Sequence, residues 1–538
     1  MKPYKILAGL ALLVLCTTVP FLQRAYFVDD YYHVTMAKGL LAHPLRPYDF
    51  YSDDAGHHVI AWERGAAPRM VNPPLFHYYL AAILKVFGGR LRVLRASTLP
   101  LSIISVWCVY FLGKRFTARP GLAAALMALT PAYWLTSYSL LIDSGLMPLF
   151  LASLLVFFKA LDRRKAGPAM LAGLLMGLTL LVKYSGVLVV AVALLWQLSA
   201  RDRRRWLPGY AAYIVCCGVL LAWGFWNIAA YGRMHLLATL PRGVHGLSFL
   251  AWSGKLLVVS AFFSGGTIFV LGGYPLLAVT RRKVLAAVIA FVGLLTVIFV
   301  SSYGGFSWSQ AAMFAVEAGG TAAFLLAAQH ARQRFLLWWL VLGLAELTVM
   351  MPWTAARYFL IVLPPAVWLF IDAFDRERLS RWIIPFAEAT ALFGACLAYA
   401  DYAQAGVIRK LEWALTANSP AFEKLAPRSS NKWYFLADTF DGAQPYIEPL
   451  GWESVFPNQN FSRGDLFLRA RYRKSSWWAV PHPERFEWLA RFVYDSRLPL
   501  RVMDVPASAG FYASCWGALP FTVTKDPLEE FDLYLVKK

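Results

Sequence analysis

Apolar residues along this chain come in long blocks rather than in strand-like alternation or one-sided helical stripes. Thirteen blocks approach the roughly 20 residues that a membrane-crossing helix needs. They run over about 5–22, 96–113, 120–136, 144–160, 168–183, 186–200, 208–230, 256–279, 284–302, 308–328, 335–352, 358–374 and 383–402. A further block, PPLFHYYLAAILKVF at 73–87, is shorter and is interrupted by His77 and Lys85. It predicts a helix lying in the membrane surface. Charge decides that point. With 73–87 on the surface, the basic clusters at Lys114/Arg115/Arg119, Arg163/Arg164/Lys165, Arg201/Arg203/Arg204/Arg205, Arg281/Arg282/Lys283, Arg332/Arg334 and Arg376/Arg378/Arg381 all fall inside. With 73–87 spanning, all six fall outside, against the positive-inside rule. The first block follows Lys2 and Lys5 and runs into PFLQRAYF with no small-x-small cleavage site. It predicts a retained anchor with the amino terminus inside, and thirteen spans then place the carboxyl terminus outside.

The polar segments sort onto the two faces accordingly. Residues 23–95 form a long first external loop, and external turns fall at 137–143, near Lys183-Tyr184, at 231–255, near 303–307 and near 353–357. Residues 1–402 make the membrane module and 403–538 a polar external domain. In that tail WYFLAD at 433–438, DLFLRA at 465–470 and FDLYLV at 531–536 read as strands, while PERFEWLARFVYD at 483–495 has helical spacing. The expectation is a small α/β domain.

Composition agrees. The chain of 538 residues is 59% hydrophobic and 15% charged, against about 25% charged in soluble domains. The tail is nearly balanced, so the basic excess of the whole chain, 52 Lys+Arg against 31 Asp+Glu, lies between the apolar blocks. That pattern marks cytoplasmic loops and excludes a nucleic-acid partner. Of six cysteines, only Cys515 lies in the polar tail, so no disulfide framework or metal spacing exists there.

Candidate chemistry gathers on the external side. Asp29 and Asp30 directly follow the first apolar block, in FVDDYYHVTMAKGLL. Adjacent helical residues point about 100° apart, so one carboxylate can face a site while the other supports it. The competing reading is that one of them caps the helix VTMAKGLL. Asp143, Lys183 and Arg357 sit at external ends of spans. Asp143 has a capping alternative and the two cations a snorkelling one. Tyr31-Tyr32, Tyr78-Tyr79 and Trp353 read first as an interfacial aromatic belt. His57-His58 near Asp53-Asp54 lacks a ligand spacing, so no metal site is predicted and a divalent cation has no support.

The order of these features resembles the GT-C fold glycosyltransferases that include the protein O-mannosyltransferases and the lipid A aminoarabinose transferases (glycosyltransferase families 39 and 83). The family's acidic pair, Tyr and Ala are matched by Asp29, Asp30, Tyr32 and Ala37. Its basic-Pro-Pro-Leu motif is matched by Asn72, Pro73, Pro74 and Leu75, with Tyr78 and Tyr79 following. Asp143 in YSLLIDSGL, Lys183 after GLLMGLTLLV, and Arg357, Tyr358, Pro364 and Pro365 complete the order. The likeness covers about residues 1–402. Two departures stand out: Asp30 replaces a Glu, and Asn72 replaces a basic residue or His.

The resemblance implies a mainly α, polytopic GT-C fold of about thirteen transmembrane helices with a small C-terminal periplasmic α/β domain. It implies a polyprenyl-phosphate sugar donor and a lipid, protein or glycan acceptor, in the inner membrane of a bacterial cell. Asp29, with Asp30 and Asp143, would be catalytic. Lys183 and Arg357 would hold the donor phosphate, with Arg69 or His77 helping where Asn72 cannot. Tyr32, Asn72, Tyr78 and Tyr358 would meet sugar or acceptor. The chemistry is coherent independently: cleaving a sugar–phosphate bond needs cations on the departing phosphate and a base for the acceptor hydroxyl. Two other classes compete. A multispanning transporter or flippase would use Glu317 and Glu346 deep within spans, but the chain has no paired repeats. A non-catalytic scaffold leaves the external Asp, Lys and Arg set without a role.

The topology makes a direct prediction. A reporter fused after Lys538 is expected to be active only outside the cytoplasm; cytoplasmic activity would overturn the topology and the external placement of the site.

Overall fold

The computed structural model of the chain describes residues 2–48, 72–199, 206–239, 249–303, 306–436, 442–455, 460–470 and 483–537. Among the described residues, eight helices are long and apolar enough to cross a membrane: Pro3–Phe21, Leu91–Gly113, Asp143–Arg163, Leu207–Tyr231, Arg282–Ser302, Trp308–Ala328, Ala356–Arg376 and Ser380–Leu425. A ninth is counted if Ala251–Thr267 and Phe269–Thr280, bent by 99°, act as one. The other four expected spans are shorter or broken helices, each with a local cause. Pro131 lacks an N–H and holds Thr130 extended (φ −65°, ψ 141°), splitting 120–136 into Pro120–Leu129 and Pro131–Ser137. Ala166–Val182 stops where Lys183 turns extended, and Leu188–Ser199 starts again beyond a short 3₁₀ turn. Arg334–Met350 has 17 residues. Close approach between helices relies on small residues, as expected where lipid removes the hydrophobic drive. A Cβ at Gly173 would lie 2.0 Å from the Ala212 carbonyl oxygen, so the helices Ala166–Val182 and Trp206–Tyr231 touch backbone to backbone.

Leu75–Phe87 is a 13-residue helix, too short to span, as the charge pattern predicts. Asp30–Ala42 precedes it, also 13 residues long, and the two pack together.

After the last span the chain continues as the amphipathic helix Val407–Leu425, which the block pattern did not reveal. The tail then builds a five-stranded sheet from β1 (Trp433–Leu436), β2 (Glu453–Ser454), β3 (Leu466–Ala470), β4 (Phe486–Tyr494) and β5 (Glu529–Val536), in the order β2-β1-β3-β5-β4. The expected strands at 433–438, 465–470 and 531–536 are present as β1, β3 and β5. The helix expected at 483–495 is instead β4, an edge strand paired antiparallel to β5 from Phe486↔Val536 to Tyr494↔Glu529. Its aromatic and β-branched residues suit a strand, and the ladder with β5 overrides a helix-like spacing that is ambiguous over so short a run.

The tail reaches back to the membrane module through residues 509–514. Ala356 N–H donates to the Phe511 carbonyl at 2.9 Å, Ser514 N–H to the Thr354 carbonyl at 2.7 Å, and Thr354 N–H to Ser514 Oγ at 2.9 Å. Beneath that contact lies a charged cluster with almost no exposure. Arg24 (1%), Asp30 (0%), Arg95 (0%) and Asp401 (0%) are closed by Tyr138 and Tyr512. Asp30 Oδ2 accepts from Arg24 at 2.9 Å, Arg95 at 2.7 Å and the Phe27 N–H at 3.3 Å, while Oδ1 accepts from the Leu140 N–H at 2.8 Å. Asp401 accepts from Arg24 (2.9 Å), Tyr138 (2.9 Å) and Tyr512 (2.7 Å). Two guanidiniums balance two carboxylates, and each carboxylate oxygen has a donor, which is the condition for tolerating buried charge.

Removing one partner strands the others. Asp30→Asn leaves Arg24 and Arg95 short of one buried countercharge, so a loss of about 3–5 kcal/mol is expected. It should appear as a lower thermal unfolding midpoint in detergent; an unchanged midpoint would refute this structural role.

Candidate functional site

The turn into Asp30–Ala42 sends two neighbouring carboxylates in different directions. Val28 just before it takes φ 53°, a strained conformation for a β-branched residue that costs about 1–3 kcal/mol and persists only when surroundings enforce it. Asp30 points into the buried cluster, with a donor on each carboxylate oxygen. Its carboxylate is closed off from solvent. Asp29 holds the N-cap position but makes no side-chain capping bond. Its carboxylate goes instead to Arg357, 2.9 Å from Nη2 to Oδ2.

Arg357, in the 3₁₀ turn Ala356–Val362, is gripped three ways. It donates Nη2 to Asp29 and Nη1 to the Tyr512 carbonyl at 2.8 Å, and its Nε lies 3.2 Å from Asp143 Oδ2. Asp143 opens the helix Asp143–Arg163, and its Oδ1 accepts from Lys183 Nζ at 2.8 Å. The Tyr358 ring sits under both cations, 4.0 Å from Lys183 Nζ and 5.2 Å from the Arg357 guanidinium carbon, in cation–π range. Four segments far apart in sequence thus place Asp29, Arg357, Asp143 and Lys183 in one continuous chain of alternating charge. Only Asp29 shows appreciable exposure: its side chain is 19% exposed against 2% for Asp143 and 9% for Lys183 and Arg357. Burial pushes the Asp29 carboxyl above the ordinary carboxylate range. Arg357 pulls the other way, and the nearby Asp30 and Asp143 add to the rise.

His77 is turned toward His33. It is fully buried, its Nε2 is 2.9 Å from His33 Nδ1, and burial pushes its pKa down to about 3. Burial disfavours the charged imidazole at His77, whose only side-chain hydrogen bond among the described residues is to His33. His33 in turn stands one helical turn past Asp29, with its N–H on the Asp29 carbonyl at 3.1 Å. Tyr78 spends its hydroxyl on the Pro44 carbonyl at 2.6 Å. Tyr32 packs beside His33 at 5.2 Å, and Asn72 is half-buried ahead of Leu75–Phe87. Arg69, and with it Asp53, Asp54, His57 and His58, lies outside the described residues. Among the described residues no group of three His, Cys, Asp or Glu side chains is placed to hold a metal. Glu317 and Glu346 keep both carboxylate oxygens buried and make no hydrogen bond among the described residues.

Sequence reasoning missed the partners that make the site rigid. Arg24 lies six residues before Asp30, Arg95 begins a span, Asp401 ends one, and Tyr512 comes from the tail. The available signal was ionisable residues at Arg95 and Asp401 within apolar helices, where charge is retained for a reason.

Residues 71–226 match the family described as dolichyl-phosphate-mannose-protein mannosyltransferase. No curated protein matches the chain. Among solved structures, ArnT from Cupriavidus metallidurans bound to undecaprenyl phosphate is 15% identical, covering 91% of this chain and 95% of that one with a TM-score of 0.46. The same protein in its apo state gives 13% and 0.40 over equal coverage. An Archaeoglobus fulgidus oligosaccharyltransferase tethered with an acceptor peptide is 14% identical, covering 83% of this chain and 63% of that one with a TM-score of 0.44. The family match includes Leu75–Phe87, Asp143 and Lys183, so over residues 71–226 the chain is similar to the dolichyl-phosphate-mannose-protein mannosyltransferases.

Proposed function

We propose that the protein transfers a sugar from a polyprenyl-phosphate donor to a hydroxyl acceptor on the external face of the membrane, with Asp29 as general base. The observation that carries this reading is the convergence of Asp29, Arg357, Asp143 and Lys183, in which the only carboxylate open to a substrate is Asp29. The acceptor oxygen attacks the anomeric carbon as the carbon–oxygen bond to phosphate breaks. Its proton passes to Asp29, and polyprenyl phosphate departs with the bonding electrons. Lys183 and Arg357 stabilise that growing negative charge, Arg357 with the planar donor geometry suited to phosphate. The donor's chain stays in the bilayer, which explains why the cations belong at the ends of spans. A lipid, a protein hydroxyl and a surface glycan all supply the required acceptor chemistry, and a bacterial inner membrane fits the inferred topology. Glu317 and Glu346, the basis of the transporter alternative, are not hydrogen-bonded to this charge chain.

Asp29→Asn keeps size and polarity but removes the proton acceptor, so turnover should fall by about 10²–10⁴ in a normally folded protein. Only ionised Asp29 accepts a proton, so activity should rise with pH through a limb set above the ordinary carboxylate pKa of about 4. That limb should be absent from the residual activity of the variant. Near-normal turnover by Asp29→Asn would eliminate the base assignment.

Lys183→Gln and Arg357→Gln each remove a charge-assisted contact of about 1.5–3 kcal/mol. Donor use should weaken by roughly ten- to a hundredfold, partly in turnover because the phosphate gains charge in the transition state. Full donor affinity and turnover in both variants would show that the phosphate is held elsewhere.

A further inference from the structure

Both cations assigned to the donor phosphate already face a carboxylate of the chain itself. Asp143 reaches Lys183 through Oδ1 and Arg357 through Oδ2, bridging them as two oxygens of a phosphate group would. The two contacts are unequal. Oδ1 accepts a 2.8 Å hydrogen bond from Lys183, whereas Oδ2 is buried without a hydrogen bond and only pairs electrostatically with Arg357 Nε at 3.2 Å. Arg357 commits its other nitrogens elsewhere, Nη2 to Asp29 and Nη1 to the Tyr512 carbonyl. Its weakly used donor is therefore the one aimed at Asp143.

We propose that Asp143 is an internal competitor for the donor's phosphate, and that lipid phosphate binds by displacing its carboxylate from Lys183 and Arg357. This rests on the reading of those cations given above. The exchange replaces one anion by another, so Lys183 and Arg357 are never left uncompensated in a buried setting, where a lone charge is costly. The displaced carboxylate has somewhere to go. Asp143 is the first residue of Asp143–Arg163, whose N-cap Ile142 supplies no capping side chain. The N–H groups of Ser144, Gly145 and Leu146 already donate to the Leu141 and Ile142 carbonyls, but the positive end of the helix favours a carboxylate there. Asp143 is thus a positioning residue: it tunes how tightly the site holds phosphate and so how readily polyprenyl phosphate leaves after transfer.

The test uses the full-length protein in nanodiscs with polyprenyl phosphate itself as the probe. Asp143→Asn removes the competing charge at constant size, and Asp143→Ser removes it with a shorter polar side chain. Both are expected to bind polyprenyl phosphate about tenfold more tightly than the unmodified protein, with a lower donor KM. Adding Lys183→Gln should abolish the gain. Equal or weaker binding by both folded Asp143 variants, while Lys183→Gln alone still weakens binding, would overturn the competitor role and leave the phosphate clamp standing. Unchanged binding in Lys183→Gln alone would remove the clamp and the competitor role together.

Discussion

The structure depends on one buried carboxylate. Asp30 takes two guanidiniums and two backbone N–H groups at zero exposure, and those donors come from the turn after the first span, from Leu91–Gly113 and from the segment after Pro131–Ser137. Through Arg24 the same network reaches Asp401 and Tyr512, and so ties the last span and the tail to the first. A buried charge is a poor source of net stability but a strict one of geometry, because any misplacement leaves an ion unpaired. That strictness is what a site assembled from distant segments needs.

Asp29 inherits its position from this arrangement. With Asp30 held in the cluster and Val28 at positive φ, the neighbouring carboxylate turns toward Arg357, and Tyr512 braces Arg357 from the far side through its carbonyl. The tail therefore reaches the charge chain through the Tyr512 carbonyl. One residue holds two structures together: the Tyr512 hydroxyl serves the buried cluster and its backbone serves the charge chain. The division of labour between Asp29 and Asp30 follows from a helical step of about 100° and from what each meets.

Much of this was legible in the sequence. Eight of the thirteen apolar blocks are helices long and apolar enough to cross a membrane among the described residues, and the block at 73–87 is the short helix Leu75–Phe87. Asp29, Asp143, Lys183 and Arg357 were found singly, each at a span end, and they do meet. Their mutual bonding was not legible, nor was the network beneath them, because Arg24 and Asp401 lie 377 residues apart and no local pattern pairs them. His77 read as a cation and lies buried against His33, a burial that depends on tertiary packing and not on local pattern. In the tail, Phe486–Tyr494 carried a helical spacing and became a strand because β5 offered it a ladder. The bend after Thr267 arises from a single positive φ at Ile268, which hydropathy cannot register.

The most direct measurement is an experimental structure of the full-length protein in lipid with polyprenyl phosphate bound. The account predicts the phosphate between Lys183 and Arg357, with Asp29 facing the space next to it where sugar and acceptor meet. A phosphate bound away from both cations, with Asp29 closed off from it, would contradict the account at its centre.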